Sequence, residues 1–330
     1  MFLQTIVKQR NQLLQTIRDF FQNRGYLEVE TPLCVPSPGM EPNLSPIEVK
    51  IKDVCGKTFQ AGLITSPEYS MKKLLGHGFE KIFTITKVFR NEEPFDETHN
   101  IEFTMLEWYC QGKNYKDCMD ETEDLIKACA LAFMSSKAHP SLSSLINTTW
   151  KRISLQELFF EQFGFDLGKA DKNVLQLACQ KNHLQIDSSD TESDYFYRLF
   201  LKYIEPSLKD QGPIFIYDYP RYQAALSALT TDGYFGQRFE LYIDGLELCN
   251  GFTELTDNQE QRKRFNEEAQ ERLCYGKQVF PIDEELLNLL PSIHSPTFGN
   301  ALGVERLHMA LAQACSISDV ILFPTSTLFR

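Results

Sequence analysis

The chain has no apolar run near the roughly 20 residues that a membrane-spanning helix needs. Its N-terminus, MFLQTIVKQR, lacks the basic-then-apolar order of a secretory signal. There are nine cysteines, an odd count, and no two stand as CxxC. Cys110, Cys129, Cys179, Cys249 and Cys315 sit beside apolar residues, which predicts reduced structural thiols in a cytoplasmic protein and gives no support to a zinc site. A positive surplus is also missing: 33 Lys and Arg stand against 45 Asp and Glu, a net charge of −12. Neutralising phosphates dominates nucleic-acid affinity, so this chain is a poor candidate for gripping a long RNA. Its one dense basic run, Gln261-Arg262-Lys263-Arg264, reads most simply as a solvated helix face. No internal repeat is visible.

What is present suits a large folded unit: 330 residues, 42% hydrophobic and 24% charged. Residues 1–24 predict an amphipathic helix, with Ile6, Val7, Leu13, Leu14, Ile17, Phe20 and Phe21 at helical spacing and Gly25 as its stop. Leu27 to Thr31 alternates as a strand that Pro32 ends. Cys34 to Asn43, with three prolines and a glycine, reads as an irregular loop. Thr65-Ser66-Pro67-Glu68 then opens a helix, and on residue types alone it is a capping box, Thr65 capping and Glu68 reaching back. A further helix spans Lys113 to Phe133. Residues 135–149 read as a polar, broken surface connection. From Leu155 to about Lys209 the pattern predicts several aromatic-bearing helices, and Pro213 to Pro220 predicts a short apolar strand.

Three stretches carry chemistry. Lys81 to Tyr109 reads as strand, roughly ten-residue loop, strand, and a hairpin loop that long is unusual. Alternation puts Thr84, Thr86, Val88 and Arg90 on one face of the first strand, and Phe103, Met105, Glu107 and Tyr109 on one face of the second. A cation, an aromatic plate, a carboxylate and a phenol in line suit a phosphate, a flat base and an ammonium group. In the second stretch, Asp244-Gly245 joins two alternating strands as a two-residue hairpin. Its register sets Ile243 opposite Leu246, Tyr242 opposite Glu247, Leu241 opposite Leu248 and Glu240 opposite Cys249. Glu240 and Glu247 become diagonal neighbours on the polar face, about 7–8 Å apart. That pair is either an ordinary solvated face or a site for a divalent cation shared with phosphate oxygens. In the third, Gly299, Ala301 and Gly303 alternate along a strand that enters a helix, whose free amides favour phosphate and whose first turn carries Arg306. His308 reads as a partly buried helix histidine.

These stretches resemble the class II aminoacyl-tRNA synthetases in their lysine branch. Phe89-Arg90-Asn91-Glu92, His99-Asn100, Glu102-Phe103-Thr104 and Glu107 resemble motif 2. Phe298 to Ala310 resembles motif 3. The opening helix and strand resemble motif 1, which builds the dimer interface in that family. Asn250-Gly251-Phe252-Thr253-Glu254-Leu255-Thr256-Asp257 resembles the lysine-pocket segment.

The resemblance implies an α+β fold: a class II synthetase-like catalytic domain with a mainly antiparallel sheet flanked by helices, filling residues 1–330, and a helical insertion at about 135–210. It implies catalytic roles for Arg90, on the α-phosphate, and Arg306, on the γ-phosphate. It implies an ATP site of Arg90, Asn91, Glu92, His99, Asn100, Phe103, Glu247, Leu248, Gly303 and Arg306, with adenine on Phe103. Ser66, Pro67, Glu68, Glu107, Tyr109, Asn250, Phe252, Glu254 and Ala301 would hold the amino acid, and Glu240 and Glu247 would hold Mg2+.

The resemblance runs from about residue 5 to residue 325, and motif 1 stands at the start, leaving no room here for an anticodon-binding barrel. That combination is similar to the elongation factor P–(R)-β-lysine ligase family, truncated paralogues of lysyl-tRNA synthetase. The implied activity is ATP-dependent activation of lysine or β-lysine as an adenylate and transfer to a lysine of elongation factor P, by a homodimer without stable tRNA binding or a membrane partner. The competing readings are a residual tRNA-charging enzyme, a non-catalytic paralogue and an ammonia-using relative. Two departures stand out. Most tRNA-charging members have glycine where this chain has Ala301, whose methyl group would narrow the pocket and disfavour α-lysine. Ile101 stands where relatives often have proline, which bears on loop shape.

Overall fold

The computed structural model describes residues 2–134 and 140–329. Helix α1 (Phe2–Gln22) leads into a short strand β1 (Leu27–Glu28). Strands β2 (Cys34–Val35), β3 (Glu48–Lys52) and β4 (Thr58–Leu63) form a separate small sheet in the order β2-β4-β3. Next come α2 (Glu68–Gly76), β5 (Lys81–Phe89), β6 (Glu102–Gln111), α3 (Tyr115–Met134) and α4 (Pro140–Asn147). Strand β7 (Lys151–Ser154) precedes α5 (Leu155–Phe163), α6 (Lys172–Lys181) and α7 (Glu192–Leu199). Strands β8 (Pro213–Pro220), β9 (Phe235–Ile243) and β10 (Leu246–Thr253) then lead to α8 (Asn258–Cys274), α9 (Glu284–Leu289), β11 (Thr297–Gly303) and α10 (Val304–Ala312). Among the described residues no helix is long and apolar enough to cross a membrane.

The main sheet has eight strands in the order β1-β5-β6-β11-β10-β9-β8-β7. Only the outer pairs, β1 with β5 and β7 with β8, run parallel; the rest is antiparallel. Strand alternation divides the two faces. Leu106, Trp108 and Cys110 of β6, Phe239 and Leu241 of β9, and Phe298 and Leu302 of β11 join Leu13 and Phe21 of α1 and Leu125 and Ile126 of α3 in the largest core. Their alternates, Glu107 and Tyr109, Glu240 and Tyr242, and Gly299 and Ala301, line a cleft on the other face. The α+β architecture expected from the sequence is the one observed.

Several local expectations change. Strand β1 stops at Glu28 rather than Thr31, because it is an edge strand with one neighbour, and its last bond to β5 is the Val29 amide on the Phe83 carbonyl, 2.8 Å. Of the expected surface connection, residues 135–139 lie outside the described residues, and the rest includes α4, where Leu142 and Leu145, three apart, are buried in the core. The expected helices after Leu155 are present as α5 to α7, each with a side-chain N-cap: Ser154, Asp171 and Thr191. The basic run is only partly solvated. Gln261 is buried, and Arg264 donates to the carbonyls of Ala225 and Ser227 at 2.7 and 2.9 Å.

The capping box at Thr65 does not form. Pro67 is the N-cap and has no side-chain cap bond; instead Ser66 Oγ accepts from the Glu68 amide at 3.1 Å, and Glu68 pairs with a lysine. The Asp244-Gly245 turn has φ of 51° and 83°, the left-handed pair a two-residue hairpin requires. Beyond it the register differs by one from the simple alternation. Glu247 opposes Tyr242, but Cys249 opposes Leu241 and Asn250 opposes Glu240, with a bulge between Glu247 and Cys249. The extra residue, Leu248, is absorbed into the core, and Asn250 turns to the polar face.

Candidate active site

The polar face of the sheet forms a cleft of about 690 Å³, the size of a small-molecule site. Its floor comes from β6, β9, β10 and β11, and its rim from the loop between β5 and β6 and from α8. Two guanidiniums enter it. Arg90, just past β5, is anchored by its amide on the Ile101 carbonyl at 2.9 Å, and its Cζ lies 5.2 Å from the Phe103 ring centroid. Its Nε is buried without a hydrogen-bond partner, an open donor for an anion. Burial lowers the proton affinity of Arg90 most; Glu93 and Glu247 offset this, and the like charge of Arg306 adds to it.

Arg306 lies in the first turn of α10 and is more tightly held. It donates to the Glu247 carbonyl at 3.0 Å, to the Thr98 carbonyl at 3.4 Å and to His99 Nε2 at 3.2 Å. Since arginine only donates, His99 Nε2 accepts, and its Nδ1–H points at Asp96, 2.9 Å away. The neighbouring Glu305 takes Arg10 at 2.9 Å and the Thr104 amide at 2.8 Å, fixing the helix start against α1 and β6.

The opposite end of the cleft is acidic. Glu107, 1% exposed, accepts the hydroxyls of Ser66 and Tyr109, each at 2.7 Å. Burial first, then repulsion from Glu68, pushes its carboxyl up to about 8. Glu254 is equally buried and is also pushed up to about 8, by burial, with Lys72 pulling it down and Glu68 pushing it up. Lys72 Nζ sits 2.5 Å from Glu68 Oε1 and 2.6 Å from Glu254 Oε2. Gly299 has no room for a side chain: a Cβ would lie 2.4 Å from both Glu254 Oε1 and Tyr109 Cε1. Its smallness admits those two side chains.

Glu240, level with Glu107 across the sheet, and Glu247, beside Arg306, also face the cleft. Glu240 accepts from Arg238 and from the Tyr242 hydroxyl, both at 2.8 Å. Burial and then Glu247 raise its affinity for a proton, against Arg238. Arg238 also donates to Asn250 at 2.9 Å and to the Gln223 carbonyl at 2.8 Å. Among the described residues no group of three or more His, Cys, Asp or Glu side chains is placed to hold a metal ion. Two oxygen-donor carboxylates facing one cleft do fit a hard divalent ion that takes its remaining ligands from phosphate and water.

Of the residues singled out from the sequence, Arg90, His99, Asn100, Phe103, Glu247, Leu248, Gly303 and Arg306 line the cleft, as do Ser66, Glu68, Glu107, Tyr109, Asn250, Phe252, Ala301 and Glu240. Asn91, Glu92, Pro67 and Glu254 do not line it. The Asn91 amide bonds the Ser45 carbonyl at 2.7 Å, and Glu92, at φ 62°, turns to the Ser45 hydroxyl. Pro67 caps α2, and Glu254 lies behind Gly299 and Lys72. The side chain of Asn100 is engaged internally, by the Glu102 carbonyl at 2.6 Å and the Thr325 amide at 2.8 Å. His308 is fully rather than partly buried, and burial lowers its imidazole to about 4.

Sequence reasoning missed Lys72 and Arg238. The signals were there: Lys72 stands four residues after Glu68 on one helix face, and Arg238 two before Glu240 on one strand face.

A long motif 1 helix, an antiparallel sheet, an arginine at the end of a hairpin strand and another at the start of a helix define a class II synthetase catalytic fold. The chain matches the family described as tRNA synthetases class II (D, K and N) over residues 2–327, and it belongs to that family. More particularly, it is 37% identical over 322 residues to the elongation factor P–(R)-β-lysine ligase of Salmonella typhi, covering 95% of this chain and 93% of that protein. To the ligases of the same name from Yersinia enterocolitica and Hamiltonella defensa it is 37% and 34% identical, covering 96% of this chain and 93% of each relative.

Proposed function

We propose that the protein is an ATP-dependent ligase that activates (R)-β-lysine as an aminoacyl adenylate and transfers it to a lysine side chain of elongation factor P. The observation that carries this reading is the pairing, in one cleft, of two arginines with an acidic pocket that Glu68 and Glu107 line and Glu254 backs. Relatives bearing that ligase name, similar over nearly their whole length, support it.

In this reading Arg90 holds the α-phosphate of ATP, Arg306 the γ-phosphate, and Phe103 stacks on adenine. The substrate ammonium groups meet carboxylates, charge-assisted contacts worth about 1.5–3 kcal/mol each. A substrate carboxylate oxygen bonds to the α-phosphorus, and pyrophosphate leaves. The uncharged amine of the acceptor lysine then attacks the carbonyl carbon, an amide forms, and AMP leaves. No side chain acts as nucleophile; positioning and charge stabilisation supply the rate. Glu240 and Glu247 would hold Mg2+, which supplies charge neutralisation on the phosphates when bound. Arg238 and the Tyr242 hydroxyl keep Glu240 oriented for that role.

Ala301 opposes Glu107 across β11 and β6, so its methyl group stands beside the acidic pocket and favours a substrate other than α-lysine. The proposal also places a homodimer in the cytoplasm, in keeping with nine free cysteines. The test is direct. Protein, ATP and each lysine isomer are incubated with and without elongation factor P, and with tRNA, and the products are weighed. A β-lysyl mass added to elongation factor P supports the reading; label on RNA alone rejects it.

A further inference from the structure

The cluster in the amino-acid pocket contains a cation that the proposed chemistry does not use. Lys72 is 1% exposed, sits between Glu68 of its own helix and Glu254 just beyond β10, and has its ammonium 5.3 Å from the Phe252 ring centroid. Glu107 and Tyr109 face the cluster from β6, while Glu41, Tyr69 and, from α8, Glu268 act on it through Glu68. A buried ammonium with two carboxylates at contact distance is fully compensated, so Lys72 is fixed rather than a vacancy for substrate.

We propose that Lys72 is the built-in counter-cation of the pocket: it holds Glu68 and Glu254 in place and leaves the three-carboxylate cluster with two net negative charges, matching a substrate with two ammonium groups. The inference rests on the functional reading above and names what sets its substrate class. Without a cation, the buried Glu107 and Glu254 would hold protons more strongly still, because burial and repulsion from the neighbouring Glu68 both favour the neutral acid. With Lys72 present, full ionisation of Glu68, Glu107 and Glu254 leaves two uncompensated charges. A diamino acid neutralises both, whereas a monoamino acid leaves one buried and unpaired. The upward shift of Glu107 and Glu254, to about 8 each, agrees: the free pocket holds protons that substrate ammonium groups displace. Lys72 is a positioning residue that acts through its carboxylate partners.

The test uses the full chain as wild type, Lys72→Met, Lys72→Arg and the double variant Lys72→Met/Glu254→Gln. Amino-acid-dependent pyrophosphate exchange is read across pH, and the glutamate carboxylates are titrated by 13C NMR without substrate. Lys72→Met is expected to raise KM for the diamino acid about 10- to 100-fold, the size of a lost charge-assisted contact. Its kcat and KM for ATP should stay within a few fold, and the acid limb of kcat/KM should move to higher pH. Lys72→Arg restores most of the loss. The double variant removes both charges together, retains two carboxylates, and is expected to titrate near the wild-type limb even where the single variant folds poorly.

An unmoved acid limb and unmoved carboxylate titration in Lys72→Met, equal damage from Lys72→Arg, or a limb shifted upward in the double variant would each overturn the counter-cation. A wild-type enzyme inert with every diamino acid would instead overturn the functional reading, and the substrate-free titration would still decide the role of Lys72.

Discussion

Arg90 and Arg306 are the same residue type in the same cleft, yet they are held differently. Arg306 is tied to Glu247, Thr98 and His99, whereas Arg90 keeps a buried Nε with no partner. An unpartnered buried donor is costly unless a ligand completes it, so Arg90 is the group expected to gain most as charge develops on phosphate. Arg90→Ala should therefore cut pyrophosphate exchange by about 10²- to 10³-fold, the range for losing one such donor. Exchange within a few fold of wild type would remove Arg90 from the mechanism. Ala301 acts by size. It opposes Glu107, and deleting its methyl group frees space where an α-amino group would otherwise crowd the pocket. Ala301→Gly should raise kcat/KM for α-lysine relative to β-lysine; because one methylene-sized change is worth about 1–3 kcal/mol, the ratio should move about tenfold or more. An unchanged ratio would sink the pocket argument.

At the scale of elements, the start of α2 joins helix capping to the pocket. Ser66 both accepts the Glu68 amide and donates to Glu107, so one hydroxyl links the helix start to β6. Ser66→Ala should cost about 1 kcal/mol of stability through the lost helix-start contact. It should also raise KM for the amino acid while leaving KM for ATP alone, measured by denaturant unfolding and by exchange kinetics. Equal effects on both KM values would show a general loosening instead. The alternation of β5, β6, β9 and β11 could be read directly from the sequence, because a half-buried strand repeats every two residues, and that period put Glu107, Tyr109 and Glu240 on the site face in advance. The bulge in β10 could not. Leu246 and Leu248 fit a regular strand as well as a bulged one, and only the packing of Cys249 in the core and the bond of Arg238 to Asn250 select the register. Lys72 escaped for a related reason. A lysine among Met71, Leu74 and Leu75 reads as a solvated position until a carboxylate from a distant segment, Glu254, joins Glu68 of its own helix around it. The cap at Thr65 failed because the helix begins at Glu68, two residues later than a box on Thr65 needs, and the Glu68 carboxylate pairs with Lys72 one turn on.

For the whole molecule, apolar surface and charge make separate demands. Leu3, Val7 and Leu27, on or beside α1, are exposed by 57%, 39% and 53%, apolar side chains that the proposed homodimer would cover. Leu27→Asp with Val7→Asp is expected to shift sedimentation from dimer to monomer while leaving the circular dichroism unchanged; a wild-type protein that already sediments as a monomer would refute this. Charge acts through pH. The chain carries −12 overall and buries Glu107, whose carboxyl moves from an ordinary 4.5 up to about 8 on folding, burial being the main cause. Between these values the folded state holds a proton that the unfolded state has released, so stability falls as pH rises. The contribution is fully present below 4.5 and is lost as pH climbs through 8. The ligand-free protein should therefore melt at a lower temperature at about pH 9 than at about pH 6. Glu107→Gln, which cannot ionise, should flatten that slope, and a diamino acid should flatten it too, because its ammonium groups stabilise the carboxylates that pH exposes. Melting curves of the two proteins at both pH values, with and without the diamino acid, measure all three effects. A wild-type slope matched by Glu107→Gln would mean that the protons retained on folding reside elsewhere, and the acidic pocket would lose its role in coupling ligand charge to stability.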